Sequence, residues 1–218
     1  MKFVIKLIST AILIFLLSAC AEPLTMDDIK LMGQESSLRD GQYTGFILSV
    51  KGKDISFTGV CNLYNVSDKI IVSDVTGDDM PDICVVFTTA SGTGVRLEEI
   101  HIFDGVTLEK YHISDIQSVL DEHVNSYSDD ENYYIIADDI EYAVEKSRVP
   151  ITPENTPDKA FFEFLRRYEV EEKAIVSVIP IQIGMFDFFG HIKISYAFKD
   201  NTFHADKIEI SEDDYYYE

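Results

Sequence analysis

The chain reads as mainly β, an α+β domain of antiparallel β-meander sheets carrying two short amphipathic helices, with a partial-propeller arrangement open to it. Three observations predict this. Short runs rich in Val, Ile, Phe, Tyr and Thr recur along the 218 residues, the composition that suits a pleated, half-buried surface. Gly, Asn and Asp turn residues bound those runs. Only two stretches show the three-and-four spacing of a helix, and there is no long internal repeat.

In chain order, the runs 43–50, 54–64, 69–73, 82–88 and 96–104 predict five strands of a meander. A helix follows, with Ser114 and Gln117 as a capping box and Ile116, Val119, Leu120 and Val124 on one face. After the acidic loop Asp129-Asp130-Glu131, Tyr133 to Ala137 and Ile140 to Glu145 read as a strand pair. A Pro-rich link at 150–157 precedes a second expected helix. Its signals are Thr156 as N-cap, Pro157 in the first helical position and a stripe of Phe161, Phe164, Leu165 and Tyr168. The last section, 173–183, 191–199 and 202–210, reads as strands. Ile192, Ile194, Tyr196 and Phe198 alternate there, and Asp200-Asn201 forms a tight turn.

The first nineteen residues have another purpose. Lys2 and Lys6 precede an apolar run from Leu7 to Leu17 broken only by Ser9 and Thr10, the layout of an export signal. The run is short of the roughly 20 residues that a membrane-spanning helix needs. It ends in Leu17-Ser18-Ala19-Cys20, which resembles the lipobox of bacterial lipoproteins. The resemblance implies cleavage before Cys20, lipid (diacylglyceryl and a further acyl chain such as palmitate) on that cysteine, and residence outside the cytoplasm on the cell membrane or outer membrane. Two or more acyl chains, at about 0.8 kcal/mol per buried methylene, anchor a protein stably. The expected organisation is then a signal peptide over 1–19, a lipidated tether over 20–40, and a β-rich lobe with one helix over 41–149. Residues 150–218 add a helix and C-terminal strands packed on the same domain.

Charge narrows the partners. The whole chain carries 18 Lys+Arg against 39 Asp+Glu, and loss of Lys2 and Lys6 with the signal moves the formal charge from −21 to −23. Nucleic-acid binding depends on basic groups neutralising phosphates, so nucleic acid is excluded as a partner. The expected partners are the membrane, through the anchor, and an envelope protein or polysaccharide. Beyond Cys20 the chain has only Cys61 and Cys84. An oxidising compartment permits a disulfide, while their apolar, strand-like surroundings suit buried thiols; the sequence leaves both open. Neither stands in a zinc-ligand spacing.

The segment Asp74-Val75-Thr76-Gly77-Asp78-Asp79-Met80-Pro81-Asp82 is the one constellation that carries chemistry. Asp74, Asp78 and Asp82 at loop positions 1, 5 and 9, the Thr76 hydroxyl at position 3 and the Met80 carbonyl at position 7 offer oxygens from one short loop. Calcium, which accepts six to eight oxygens in flexible geometry, is the natural occupant. An EF-hand would need Glu at position 12, where Val85 stands, and a following helix. The segment instead resembles the strand–loop–strand calcium motif of FG-GAP and VCBS repeats, whose usual form is Asp-x-Asn-Gly-Asp-Gly-x-x-Asp running into an apolar strand. That match covers residues 70–88, and departs from the pattern at Thr76 and at Asp79, where Gly is usual.

Five scattered histidines, His101, His112, His123, His191 and His204, form no HExxH, and the chain has no Gly-x-Ser-x-Gly elbow. Glu99 and His101 share one face of a predicted strand. The functional expectation is a membrane-anchored, calcium-stabilised binding or scaffolding module rather than an enzyme. The alternatives are an envelope hydrolase using acidic-loop carboxylates, and a lipoprotein subunit of a transporter or sensor complex.

Overall fold

A computed structural model describes residues 24–34, 38–39, 42–62, 69–92, 95–148, 157–162, 165–184 and 187–212. The signal segment 1–19, Cys20 and residues 150–156 of the Pro-rich link lie outside the described residues. The strands among the described residues are β1 Ile29–Gly33, β2 Leu38–Arg39, β3 Gln42–Val50, β4 Lys53–Asn62, β5 Lys69–Ser73, β6 Asp82–Gly92, β7 Val95–Asp104, β8 Lys110–Ile113, β9 Val124–Ser128, β10 Asn132–Ala137, β11 Ile140–Glu145, β12 Leu165–Glu171, β13 Ala174–Gln182, β14 Phe188–Lys199 and β15 Thr202–Ser211. Helix α1, Ile116–His123, stands between β8 and β9. The protein is mainly β with antiparallel sheets, as its composition predicts.

Strands β5 to β8 follow one another as an antiparallel meander, each paired with the next. That is the connectivity of a single propeller blade. The meander then continues sideways, because β8 pairs in parallel with β15 at Thr202↔His112 and Phe203↔Ile113. From β15 the sheet runs through β14 and β13 to β12. β12 in turn pairs in parallel with β7 at Leu165↔Arg96 and Arg166↔Leu97. The strand pairings therefore form a closed circuit, which leaves β7 and β12 with fewer exposed edges.

Two apolar cores follow from the alternation of β6. Cys84 and Val86 face one core, together with α1, β9 to β11 and the C-terminal strands. Ile83, Val85 and Phe87 face the other, against Phe46, Leu48 and Val50 of β3. Covered on both sides, β6 reads as an unbroken apolar run rather than an alternation. Phe46 and Phe87 stack with ring centroids 4.4 Å apart, and Phe57 meets Phe103 edge-on at 5.0 Å.

Three expectations need correction. No second helix forms among the described residues: Thr156 and Phe164 lie outside them, Phe161 makes an isolated bridge to Gln182, and Leu165 and Tyr168 belong to strand β12. Both are buried although three apart, because the strand is covered on both faces, and this mimics a helical stripe. Helix α1 forms, but its N-cap is Asp115, whose carboxylate accepts from the Ser118 amide, rather than Ser114. It stops at His123, and Val124 goes extended, as a β-branched residue prefers. Finally, the tether is shorter than 20–40. From Leu24 the chain is part of the fold: Met26–Asp28 make a 3₁₀ turn and β1 pairs along β3 from Ile29↔Val50 to Gly33↔Phe46. Ile29 is buried and Leu24 and Leu31 pack against the same core. The Asp200-Asn201 turn is as expected, with φ of 50° and 63°.

Candidate metal centre

The acidic loop joins β5 to β6, so both ends are fixed by paired strands. Ser73 pairs with Asp82 in register, and Asp82 also faces Asp104 across β7. Between them the backbone reverses through two left-handed positions, Gly77 at φ 79° and Asp79 at φ 67°. Glycine takes that conformation without strain and aspartate tolerates it better than most residues, so the Asp79 departure from the motif leaves the loop's path intact.

The carboxylates organise the loop. Asp74 Oδ1 accepts from the Gly77 amide at 2.8 Å and the Asp78 amide at 3.1 Å, and Oδ2 accepts from the Asp79 amide at 3.2 Å. Asp78 Oδ1 accepts from the Met80 amide at 2.8 Å. Asp82 turns inward: its Oδ2 accepts from the Val75 amide at 2.9 Å, and from the Thr76 amide and hydroxyl at 3.0 Å. Met80 stands at the exposed tip, 41 % accessible.

A cation already serves this loop. The β12–β13 turn brings Lys173 Nζ to 2.6 Å from Asp74 Oδ2 and 3.5 Å from Asp79 Oδ1, and the Ser73 hydroxyl donates to the Glu172 carbonyl in the same turn. The Lys173 ammonium holds the Asp74 carboxyl below its ordinary range. Burial pushes Asp82 the other way, against the hydrogen bonds from Thr76 and Val75, and Asp78 adds to the rise.

The predicted ligand residues Asp74, Thr76, Asp78, Met80 and Asp82 thus share one loop, and their donor atoms are the hard oxygens that calcium prefers. Among the described residues, no three Asp, Glu, His or Cys side chains converge as a ready metal cage. The Asp74 and Asp82 carboxylates point at loop amides, and Lys173 takes one lone pair of Asp74.

The remaining candidates fall elsewhere. Cys61 and Cys84 are buried and no disulfide joins them; Cys61 faces the core under β3 and Cys84 the opposite one, so the plane of the sheet separates the sulfurs. Burial pushes the Cys84 thiol up to about 12. Glu99 and His101 do meet, with Oε1 3.1 Å from Nε2. Lys110 Nζ lies 2.7 Å from His101 Nδ1. Glu99 is pushed up by burial, but His101, the Val60 backbone and Lys110 together outweigh this and leave it lowered. His101 is 2 % exposed and sits against Gly59, Phe57 and Phe87; its neighbours Glu99 and Lys110 line a cleft of about 330 Å³ together with His112. His123 pairs with Asp138 at 2.7 Å on the surface, His191 is buried on β14, and His112 and His204 are exposed. The histidines and the acidic loop therefore occupy separate parts of the molecule.

Sequence reasoning missed Lys173, Asp104 and Tyr111. The Tyr111 hydroxyl donates to Asp104 Oδ2 at 3.0 Å, and Asp104 Oδ1 accepts from the Val106 and Thr107 amides. These interactions brace the β7–β8 turn beside the acidic loop. Only the Asp-Gly turn signal at 104–105 hints at it. Comparison with known family models, curated proteins and solved structures returns no match.

Proposed function

We propose that the chain is a membrane-anchored, extracytoplasmic lipoprotein whose β-rich domain binds or scaffolds an envelope partner and takes calcium at the Asp74–Asp82 loop. One observation supports the calcium part above others. The loop turns left-handed at Gly77 and Asp79 and gathers the Asp74 carboxylate onto three of its own amides, so five oxygen-bearing residues lie on one nine-residue arc. Asp74, Asp78 and Asp82, the Thr76 hydroxyl and the Met80 carbonyl would hold the ion, which would supply the charge neutralisation that Lys173 now gives to Asp74 and, at longer range, Asp79. Calcium and the Lys173 ammonium compete for Asp74 on this reading. The dispersed histidines argue against the hydrolase alternative, and the lipobox carries the anchoring.

Calorimetric titration of the soluble domain with calcium tests the reading. The wild type is expected to bind one ion and the Asp78→Ala variant to bind far more weakly. A wild-type domain that shows no heat of binding and no change in melting temperature between calcium and chelator would remove calcium from the proposal.

A further inference from the structure

Leu24, the first of the described residues, is seated against the acidic loop. A Cβ placed on Gly105 would lie 2.1 Å from the Pro81 carbonyl and 3.1 Å from Leu24 Cδ2, so Leu24, Gly105 and the loop's penultimate residue touch. The Gly105 amide donates to the Pro81 carbonyl at 3.1 Å. Only Ala21, Glu22 and Pro23 separate Leu24 from Cys20. Four fully extended steps cover at most about 14 Å. On the reading that Cys20 carries lipid, the surface around Leu24 therefore cannot be held far from the bilayer.

That surface gathers apolar side chains and lysines around one groove. A groove of about 650 Å³ is lined by Leu24, Lys51, Lys53, Met80, Val106 and their neighbours. Met80 is 41 % and Val106 57 % exposed, two large apolar side chains offered to solvent at adjoining loop tips. Met26, two residues beyond Leu24, is 51 % exposed. In a chain whose acidic residues outnumber basic ones 39 to 18, Lys51 and Lys53 line this groove beside Asp74 and Asp79, Lys173 pairs with both aspartates, and Asp27, Asp28 and Asp78 stand at its margin. Acidic surface without such lysines is repelled by anionic phospholipid, an effect that acts within roughly one Debye length. The face that carries the lysines is the one that can approach. Exposed apolar side chains flanked by lysines are suited to the headgroup and upper acyl region, where the lysine stems lie along apolar surface and the ammonium groups reach phosphates.

We infer that this face is a bilayer-docking surface: the domain rests on the membrane through Met80, Val106, Lys51 and Lys53, with the acidic loop at the headgroups, rather than standing off on a flexible tether. The inference rests on lipidation at Cys20, and deepens that reading by fixing which side of the domain meets lipid. The full lipidated chain is reconstituted in phosphatidylethanolamine–phosphatidylglycerol vesicles containing headgroup spin-labelled lipid. It carries a fluorophore on Met80→Cys, Val106→Cys or, as a reference, Ile140→Cys. Ile140 is 67 % exposed and lies on the separate β9–β11 sheet. The expected result is quenching at 80 and 106 at least about twofold stronger than at 140, with hydrogen exchange slowed over 79–81 and 105–107 in the unlabelled protein upon reconstitution. Equal quenching at the three positions, in protein that floats with the vesicles, would overturn the docking surface while leaving the anchor intact. Slowed exchange without quenching would put a protein on this face and would also overturn it. Protein that fails to float and lacks acyl mass on Cys20 would overturn the anchor, and the docking surface with it.

Discussion

On the proposed reading the acidic loop both holds its own backbone and offers oxygen to a cation, and Asp82 separates the two. It is 2 % exposed, and Asp82→Ala removes the acceptor of three hydrogen bonds from Val75 and Thr76. The Val75 amide keeps a second acceptor, the Ser73 carbonyl at 3.1 Å, and the Thr76 hydroxyl can turn to water. The Thr76 amide is left without a partner, which costs about 1–3 kcal/mol. Some of the loss is recovered, because burial already disfavours the Asp82 carboxylate. The expected net loss is about 2 kcal/mol, or a fall of about 4–8 °C in melting temperature for a domain of this size. Asp82→Asn keeps a carbonyl acceptor and should cost less than about 1 kcal/mol, yet it removes a charged ligand and should weaken calcium binding as strongly as the alanine variant. Urea unfolding in chelator, followed by circular dichroism and by the fluorescence of the 12 tyrosines in a chain that lacks tryptophan, measures the stability term. An asparagine variant as unstable as the alanine one, or an alanine variant within about 0.5 kcal/mol of wild type, would refute the assignment of Asp82 as the bracket of the loop.

Three further outcomes are expected. Removing the competing ammonium with Lys173→Met should tighten apparent calcium affinity by about a few-fold, with less effect at high salt, as befits an exposed pair; unchanged or weaker binding in calorimetry would show that Lys173 does not compete. Burial pushes Asp104 up, but the amides of Thr107 and Val106 and the Tyr111 hydroxyl outweigh it and leave the carboxyl lowered. Its stabilising contribution is therefore present above the ordinary carboxylate range and lost as pH falls through the depressed folded value, so Asp104→Asn should flatten the acid limb of stability between about pH 5 and pH 2. Asp82, being raised, works with the opposite sign, and an unchanged acid limb in Asp104→Asn would refute the assignment. Cys84, with its thiol pushed up to about 12, should resist alkylation in the native state and react on unfolding, with no mass loss of a Cys61–Cys84 bridge; a bridged peptide would contradict the placement of the two sulfurs on opposite faces of the sheet.

The strands were legible where one local rule dominated. The alternation of Ile192, Ile194 and Tyr196 and the Asp200-Asn201 turn predict a hairpin that the register confirms, with Lys199 opposite Thr202. The path of the acidic loop was legible too, because left-handed Gly77 and Asp79 lie within a few residues of the carboxylates they turn. What escaped was set by distant parts of the chain. Leu165 and Tyr168 read as a helical stripe because side chains on both faces of β12 are buried, and its strand state comes from edge pairings with β13 and β7, neither of which is a local property. β8 was missed because Lys110-Tyr111-His112-Ile113 is short and half polar; it is a strand through its pairings with β7 and β15. β1 was hidden in a polar stretch, and Ile29 and Leu31 become strand residues only against β3. Lys173 reaches Asp74 across 99 positions, beyond the range of any spacing rule, and so the partner that neutralises the loop was not foreseen.

The proposed anchor at Cys20 would set the compartment, the membrane and the meaning of the face around Leu24, and one measurement bears on it directly. Intact-mass and N-terminal peptide analysis of the chain isolated from the membranes of an expressing bacterium should show Cys20 as the first residue, carrying a diacylglyceryl group and a further acyl chain, and Cys20→Ser should abolish that mass and release the protein from the membrane fraction. A mature chain that begins at any other residue, or an unmodified Cys20 in protein that still sediments with membranes, would contradict it.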